Sequence, residues 1–548
     1  ILVFVSLRKV YFFVLLLIIS ISCNNSEFKN ANKDKTVFRY NESKGIASLD
    51  PAFAKTQTLI WPTHQLFNSL VQMDSDLTLL PSIAKEWEIL NKGKQYVFYL
   101  RDDIYFHDNK AFKNGIGRKL IAEDVVYSLK RIYNPETASP GAWIFNVIDK
   151  AKGIQAIGDS IVQINLKHSF PAFLGLLSMQ YCSVIPKEAV DFYGDDFRAN
   201  PVGTGPFKFK YWKEGEKLIF VKNKNYFEKD TNNVSLPYLD AVAISFITDK
   251  QTEFLEFVKG NLDFISGVNY ANKDELLTRS GKLKSDYSNR INMITQPYLN
   301  TEYLGFLVDK DKCNSNNSVC NRNVRLAINY GFDRKKMIKY LRNNIGSPAI
   351  NGFIPQGMPS FDSDYVGYTY NPEKAEQLLA DAGYPKGKGL ETIKLTTTSD
   401  YLDLCEYIQR KLSQLGINLE IDVSTGATFR DMVANSKLEF FRGSWIADYP
   451  DAENYLSLFY SKNFSPEGPN YTHFENEDYD RMYELAMNTV NDSARYRLYR
   501  KMDEFIIDNA VVVPLYYDQV VRFYQKNVLN LGSNAMNLLS LKRVKKIK

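Results

Sequence analysis

The chain has 548 residues, 45% hydrophobic and 24% charged, with a formal net charge of +5. That balance excludes a fibre or a disordered chain, and at about 150 residues per domain the length fits about three domains. Lysine, arginine, aspartate and glutamate are interspersed without a basic stripe, which argues against a nucleic-acid partner, and an aromatic content of 14% suits both cores and the walls of a cleft.

In chain order, Arg8 and Lys9 precede an apolar run from Val10 to Ile19, which ends in Ser20-Ile-Ser-Cys23 and passes at once into polar sequence, Asn24 to Lys35. The run is shorter than the ~20 residues of a membrane span, so residues 1–22 are predicted to be a signal peptide. The small residues before Cys23 resemble a bacterial lipobox, which makes Cys23 the expected lipidation site and 23–36 a flexible tether. A retained membrane helix is the alternative.

Further along, Gln95–Leu100 and Ser160–Leu166 alternate as short strands between polar turns, the pattern of a mixed α+β region. Gly203-Thr-Gly205 is half a dinucleotide fingerprint, but Pro206 and the alternating Phe207–Tyr211 continue it as a strand and not as the helix a phosphate site needs. Of the five cysteines, Cys313 and Cys320 bracket a polar loop and are expected to form a loop-closing disulfide in an exported protein. Cys182 and Cys405, flanked by apolar or aromatic residues, are expected to be buried thiols.

A helix is predicted from Asn371, with Asn371 as N-cap, Pro372 at the first helical position and Gly383 at the left-handed cap. After it come a strand at Thr392–Thr398, a helix at Leu402–Leu415 closed by Gly416, and a strand at Ile417–Val423. A strand, crossover helix and strand in this order make a right-handed parallel pair, the signature of an α/β lobe.

Catalytic motifs are missing. The four histidines, His64, His107, His168 and His473, stand singly, with no His-Glu-x-x-His, no Cys-x-x-Cys, no serine-hydrolase elbow and no phosphate loop. No enzyme, metal site or cofactor is predicted. The chemistry worth following lies in Phe441-Arg-Gly-Ser-Trp-Ile-Ala-Asp-Tyr-Pro-Asp451, where Arg442 and Asp448 flank a tryptophan on a segment that otherwise reads as buried strand. Opposite charges so placed suit a zwitterionic ligand, whose ammonium needs a carboxylate and whose carboxylate needs a guanidinium. A plain ion pair at a strand edge is the other reading.

Several segments, in order, resemble the extracytoplasmic solute-binding proteins of the peptide, opine and nickel transporter family. They are Ser48-Leu-Asp-Pro51, Pro81-Ser-Ile-Ala-Lys-Glu-Trp87, Tyr96–Arg101 running into Tyr105-Phe-His-Asp108, Ala122–Ser128, Asn200–Phe207, Asn223-Lys-Asn-Tyr226, Val324–Ala327, Phe332-Asp-Arg334, the helix at Asn371, Trp445–Asp451 and Val513–Tyr516. The resemblance implies an α/β clamshell of two lobes, of the class II periplasmic-binding-protein type, with an α+β domain inserted in the first. Lobe one is read as 37–69, 191–297 and 511–548, the inserted domain as 70–190, and lobe two as 298–510.

It also implies a monomeric receptor, lipid-anchored at the cell envelope, that captures short peptides and hands them to an ABC permease with its ATPase subunits. Asp448 would hold the peptide ammonium, and Arg442 would lie in the pocket where it can meet the far carboxylate of a short peptide. The intervening strand, with Ser444 and Ile446 and the main chain around Trp445, is similar to the one that pairs with the ligand backbone. Lys55 stands where the oligopeptide binders have a glutamate, either facing solvent or tuning the pocket toward an anionic ligand. The family has His-Asp-Gly where this chain has His107-Asp-Asn109, and asparagine is expected there to keep a turn with positive φ. The alternatives left open are another cargo, such as a nickel chelate, haem, glutathione or an oligosaccharide, and a lipoprotein peptidase.

Overall fold

Two long strands, Ile291–Phe306 and Val512–Gln525, form the spine of the fold in the computed structural model, which describes residues 35–149, 152–267, 273–313 and 317–547. The predicted signal peptide, Cys23 and the tether as far as residue 34 lie outside the described residues. The two long strands pair antiparallel from Ile291/Gln525 to Gly305/Val512, and their register breaks between Pro297 and Thr301 and again between Glu302 and Tyr303. Proline offers no N–H to a ladder, so a break beginning at Pro297 has a local cause.

Either side of the break the spine carries different partners in one eleven-stranded sheet. Phe264–Ser266 pairs with Arg522–Tyr524 and leads outward through Val37–Asn41, Ala241–Ser245, Lys217–Lys222 and Phe207–Lys213. On the other side Phe440–Ile446 pairs with Asn300–Phe306 and leads to Ile393–Thr397 and Leu419–Val423. The last two strands run parallel, Ile393 opposite Leu419, joined through the helix Leu402–Ser413. These are two α/β lobes on one bent sheet. A separate four-stranded antiparallel sheet, Ala84–Leu90, Gln95–Leu100, Ile161–Asn165 and Ile154–Ile157, lies in the region between the first two strands of the first lobe. Tyr96, Phe98 and Leu100 alternate inward from it and share a core with Val125, Val126 and Leu129 of the helix Ala122–Ile132.

Local signals account for much of this. The helix Pro372–Asp381 begins with the Asn371 side chain accepting from the Lys374 N–H at 3.0 Å, has proline in its first turn, and is followed by Gly383 at φ +91°. Cys182 and Cys405 are buried thiols. The expected positive φ at Asn109 is not found: its side chain accepts instead from the Ala111 N–H at 2.9 Å and the Tyr193 hydroxyl at 3.0 Å, and the left-handed residues of this turn are Asn114 and Gly115. An asparagine side chain can close a turn by its own hydrogen bonds, which removes the need for a glycine-like backbone.

Cys313 and Cys320 are bridged, with their Cα atoms 5.6 Å apart. Their loop is tied to the second lobe by Arg325, which donates to the carbonyls of Val319, Cys320, Asn509 and Ala510. In the core of that lobe Glu453 is fully enclosed and accepts hydrogen bonds from the hydroxyls of Tyr449 and Tyr483. Burial outweighs these bonds and pushes the Glu453 carboxyl from an ordinary 4.5 up to about 7.

Two expectations follow from these features. Replacing Cys313 and Cys320 by serine should lower stability by up to about 2–3 kcal/mol, because the bridge closes only a short loop and Arg325 still holds its end; denaturant unfolding of the oxidised and reduced protein measures it. For Glu453 the native carboxyl binds its proton more tightly than the unfolded one, so its stabilising contribution is full below an unfolded pKa of 4.5 and is lost as pH rises through about 7. Glu453→Gln should therefore flatten the fall in melting temperature between about pH 5 and about pH 8, on a contribution of about 3 kcal/mol. An unchanged pH slope in calorimetry would show that Glu453 titrates normally.

Candidate ligand-binding site

The strand Phe440–Ile446 sits beside the spine in antiparallel register, with Leu304 opposite Arg442, Glu302 opposite Ser444, Thr301 opposite Trp445 and Asn300 opposite Ile446. Alternation therefore puts Arg442, Ser444 and Ile446 on one face with Asn300 and Glu302, and Phe441, Gly443 and Trp445 on the other. Gly443 is required by close approach: a Cβ there would lie 2.3 Å from the Tyr303 ring.

On the first face Arg442 forms an ion pair with Glu302, the two side chains only 12% and 4% exposed. Ser444 Oγ lies 3.0 Å from both Glu302 Oε1 and Asn300 Oδ1, and Asn300 Nδ2 donates to Glu302 Oε1 at 3.1 Å. The Arg442 guanidinium also stacks on the Tyr401 ring, 3.2 Å from its centroid, and its Nε has no partner. Burial alone would weaken its charge, but Glu302 and Tyr401 hold the Arg442 pKa above its ordinary value. A second pair, Arg342 to Asp518 at 2.8 Å, lies beside it, and Asp518 belongs to the other spine strand.

Trp445 points to the opposite face, where its Nε1–H donates to Asn454 Oδ1 at 3.0 Å. The same oxygen accepts the Asp448 N–H at 3.2 Å, and Asn454 Nδ2 donates to Asp448 Oδ2 at 3.4 Å. Asp448 is thus oriented by a neutral amide. Among the described residues no cation stands within ion-pair reach of it, and Asp448 is an exposed residue overall. The walls around it still desolvate the group enough to raise its pKa, against the opposing Asn454 bond. Those walls come from both sides: Tyr449 and Pro450 pack on Trp143 and Gly175 of the inserted region, and Tyr449 joins that region's core.

The outer edge of this strand is open. Ile393–Thr397 pairs with it only through Thr396 and Phe441, so among the described residues no strand covers Gly443–Ile446, and Ile446 is 49% exposed. A cleft of about 700 Å³ opens on the first lobe, lined by Glu42, Lys44, Thr58, Tyr298, Asp518 and Gln519, among others; it meets the paired charges at Asp518, while Arg442, Ser444, Ile446 and Asp448 do not line it. Glu42 has its pKa raised by burial, opposed by the Lys44 N–H and the Thr58 hydroxyl. Lys55 is exposed in the loop just before Thr56, which does line the cleft.

The structure therefore brings Arg442, Ser444 and Ile446 to one face, turns Trp445 to the other, leaves Asp448 at the end of the open edge and leaves Lys55 exposed on a first-lobe loop. Arg442 and Asp448 do not pair with each other. Sequence reasoning missed Glu302, Asn300, Asn454 and Tyr401. Glu302 had a visible signal, a lone charge within the strand-like Leu299–Phe306; the two asparagines and the tyrosine had none. Among the described residues no group of three or more histidine, cysteine or acidic side chains is placed to hold a metal ion.

Residues 78–467 match the profile of "Bacterial extracellular solute-binding proteins, family 5 Middle". The chain is 27% identical to heme-binding protein A of Haemophilus influenzae over 90% of each chain, and 25% identical to the dipeptide-binding protein of Escherichia coli over 84% of this chain and 85% of that one. The periplasmic binding protein DppA of Helicobacter pylori, solved with the peptide STSA, superposes with a TM-score of 0.73 at 25% identity, covering 95% of this chain and all of the other. HbpA2 of Haemophilus parasuis shares the fold with a TM-score of 0.81 over 93% of this chain and 100% of that one, at 22% identity. On the profile match across most of its length, this chain belongs to the family 5 bacterial extracellular solute-binding proteins, a class of transport components and not of enzymes.

Proposed function

We propose that the protein is the receptor of an ABC importer that captures short peptides between its lobes and delivers them, as a monomer, to a permease and its ATPase subunits. Residues 37–69, 191–297 and 511–548 would make the first lobe, 70–190 the inserted domain and 298–510 the second lobe. The observation that carries this reading is a desolvated carboxylate without a cation, Asp448, at the end of an unpaired strand edge, Gly443–Ile446. A peptide α-ammonium supplies the missing charge, and the peptide backbone supplies the missing strand. Affinity gained from main-chain bonds is common to all peptides, so the side chains can be left to water-tolerant pockets.

The named relatives include heme-, dipeptide- and glutathione-binding proteins, so family membership alone leaves the cargo open. Haem and glutathione each bring two carboxylates, and the guanidiniums nearest the strand, Arg442 and Arg342, are already matched to Glu302 and Asp518. That favours the peptide.

Asp448→Ala should weaken binding of free peptides by about a hundredfold or more, since it leaves the buried ammonium unpaired. N-acetylated peptides should bind the parent poorly and lose far less on mutation. Calorimetric titration with a matched free and acetylated tripeptide checks this, and equal affinity for the two would remove Asp448 from the role. Anchoring is proposed through lipid on Cys23, so Cys23→Ala should appear in soluble fractions or remain unprocessed. Recovery of that variant in membranes as fully matured protein would overturn the anchor.

A further inference from the structure

Resting on the Asp448 reading above, we propose that the cleft recognises a peptide from its amino end alone: the far carboxylate is not clamped by a fixed cation, so C-terminally amidated and carboxyl-extended peptides bind as well as short free acids. The argument starts from what the two guanidiniums already hold. Arg442 is enclosed with Glu302, and Glu302 has its other oxygen bonded within reach of Ser444 and Asn300. Arg442 meets Glu302 through one Nη, so a ligand carboxylate at its other donors would leave one guanidinium to neutralise two carboxylates, and a swing to the ligand would strand a Glu302 side chain only 4% exposed. Arg442 still has a spare donor at Nε, but a neutral acceptor such as an amide carbonyl satisfies that without adding charge.

Arg342 is held in the same way by Asp518 at 2.8 Å. Two guanidiniums and two carboxylates thus balance before any ligand arrives. Among the described residues the first-lobe wall adds no free enclosed cation: Lys250 pairs with Glu253 at 2.6 Å, and Lys44 is an exposed rim residue whose charge is screened by water. Glu42 and Asp448, by contrast, are carboxylates that the protein desolvates without bonding them to a cation. Asp448 thus offers an ammonium an unmatched carboxylate, whereas a terminal carboxylate meets guanidiniums that are already matched and one exposed lysine.

The test captures a mixed tri- to pentapeptide library on the intact mature protein in three versions, free, N-acetylated and C-amidated, with retained peptides quantified by mass spectrometry. The amidated library should be retained to within about threefold of the free one, and the acetylated library should fall by about tenfold or more. A fall of about tenfold for the amidated library overturns the one-ended reading and leaves the peptide receptor standing. Retention of the acetylated library at the level of the free one overturns the Asp448 reading itself, and failure to retain any of the three overturns both.

Glu302→Gln supplies a gain of preference that a merely structural pair would not show. It keeps a hydrogen-bond acceptor beside Arg442 and removes the opposing charge, so the variant should now favour free-acid over amidated peptides by about tenfold. If it melts at the parent temperature and still shows no such preference, Glu302 does not set the specificity and the proposal falls. If it does not fold, the library comparison on the parent protein decides.

Discussion

The fold hangs on the pairing of two long strands that belong to both lobes at once. Ile291–Phe306 and Val512–Gln525 hydrogen-bond to each other at both ends, and the sheets of the lobes grow outward from the two ends in different company. Their ladder is interrupted at Pro297–Thr301, so over that stretch the two strands are not held by each other. The site is built around this interruption. Asn300 lies within it and Glu302 follows it on one strand, Asp518 stands opposite it on the other, and Arg442 to Ile446 are held in register by the first. Leu299 is fastened there from two directions, its carbonyl accepting from the Ala447 N–H at 2.9 Å and the Tyr455 hydroxyl at 2.7 Å.

Charge in the interior is settled locally, and that makes the exceptions informative. Arg325, Arg334 and Arg522 are buried with no carboxylate partner among the described residues, and each guanidinium fans its donors onto loop and strand carbonyls. Arg442 and Arg342 instead have carboxylates. A carboxylate that its surroundings partly desolvate without supplying a cation is held at a cost, so its survival in a folded chain points to a partner that comes from outside. Asp448 fits that description, because its walls raise its pKa and among the described residues its side chain accepts only from the neutral Asn454 amide.

The same geometry separates two roles that look alike in the linear motif. Arg442 and Asp448 are six residues apart and opposite in charge, but the strand ends between them and the chain turns at Ala447 to reach the inserted region through Tyr449. One side chain faces the interior of the second lobe, and the other faces the opening between lobe and inserted region. Proximity in sequence carried the idea of a matched pair; the bend in the chain sent the two charges to different neighbours.

Elements whose causes are local were legible in the amino-acid sequence: the capped helix at Asn371, the parallel strands on either side of Leu402–Ser413, the alternating Gln95–Leu100, and the strand that carries Arg442, Ser444 and Ile446. Each depends on spacing and capping within a few residues, which a linear reading can measure. The family resemblance rested on such short segments too. What tertiary structure alone decided was partnership across distance. Glu302 lies 140 residues from Arg442, the Trp143 that stacks near Tyr449 is some three hundred residues away, and the Asn109 turn is closed by Tyr193 from another helix. No periodicity encodes those meetings, because they follow from how whole elements pack and not from the preferences of any one of them. The sequence thus determined which residues could carry charge at the cleft, and the packing of the lobes determined which of those charges is still free to meet a ligand.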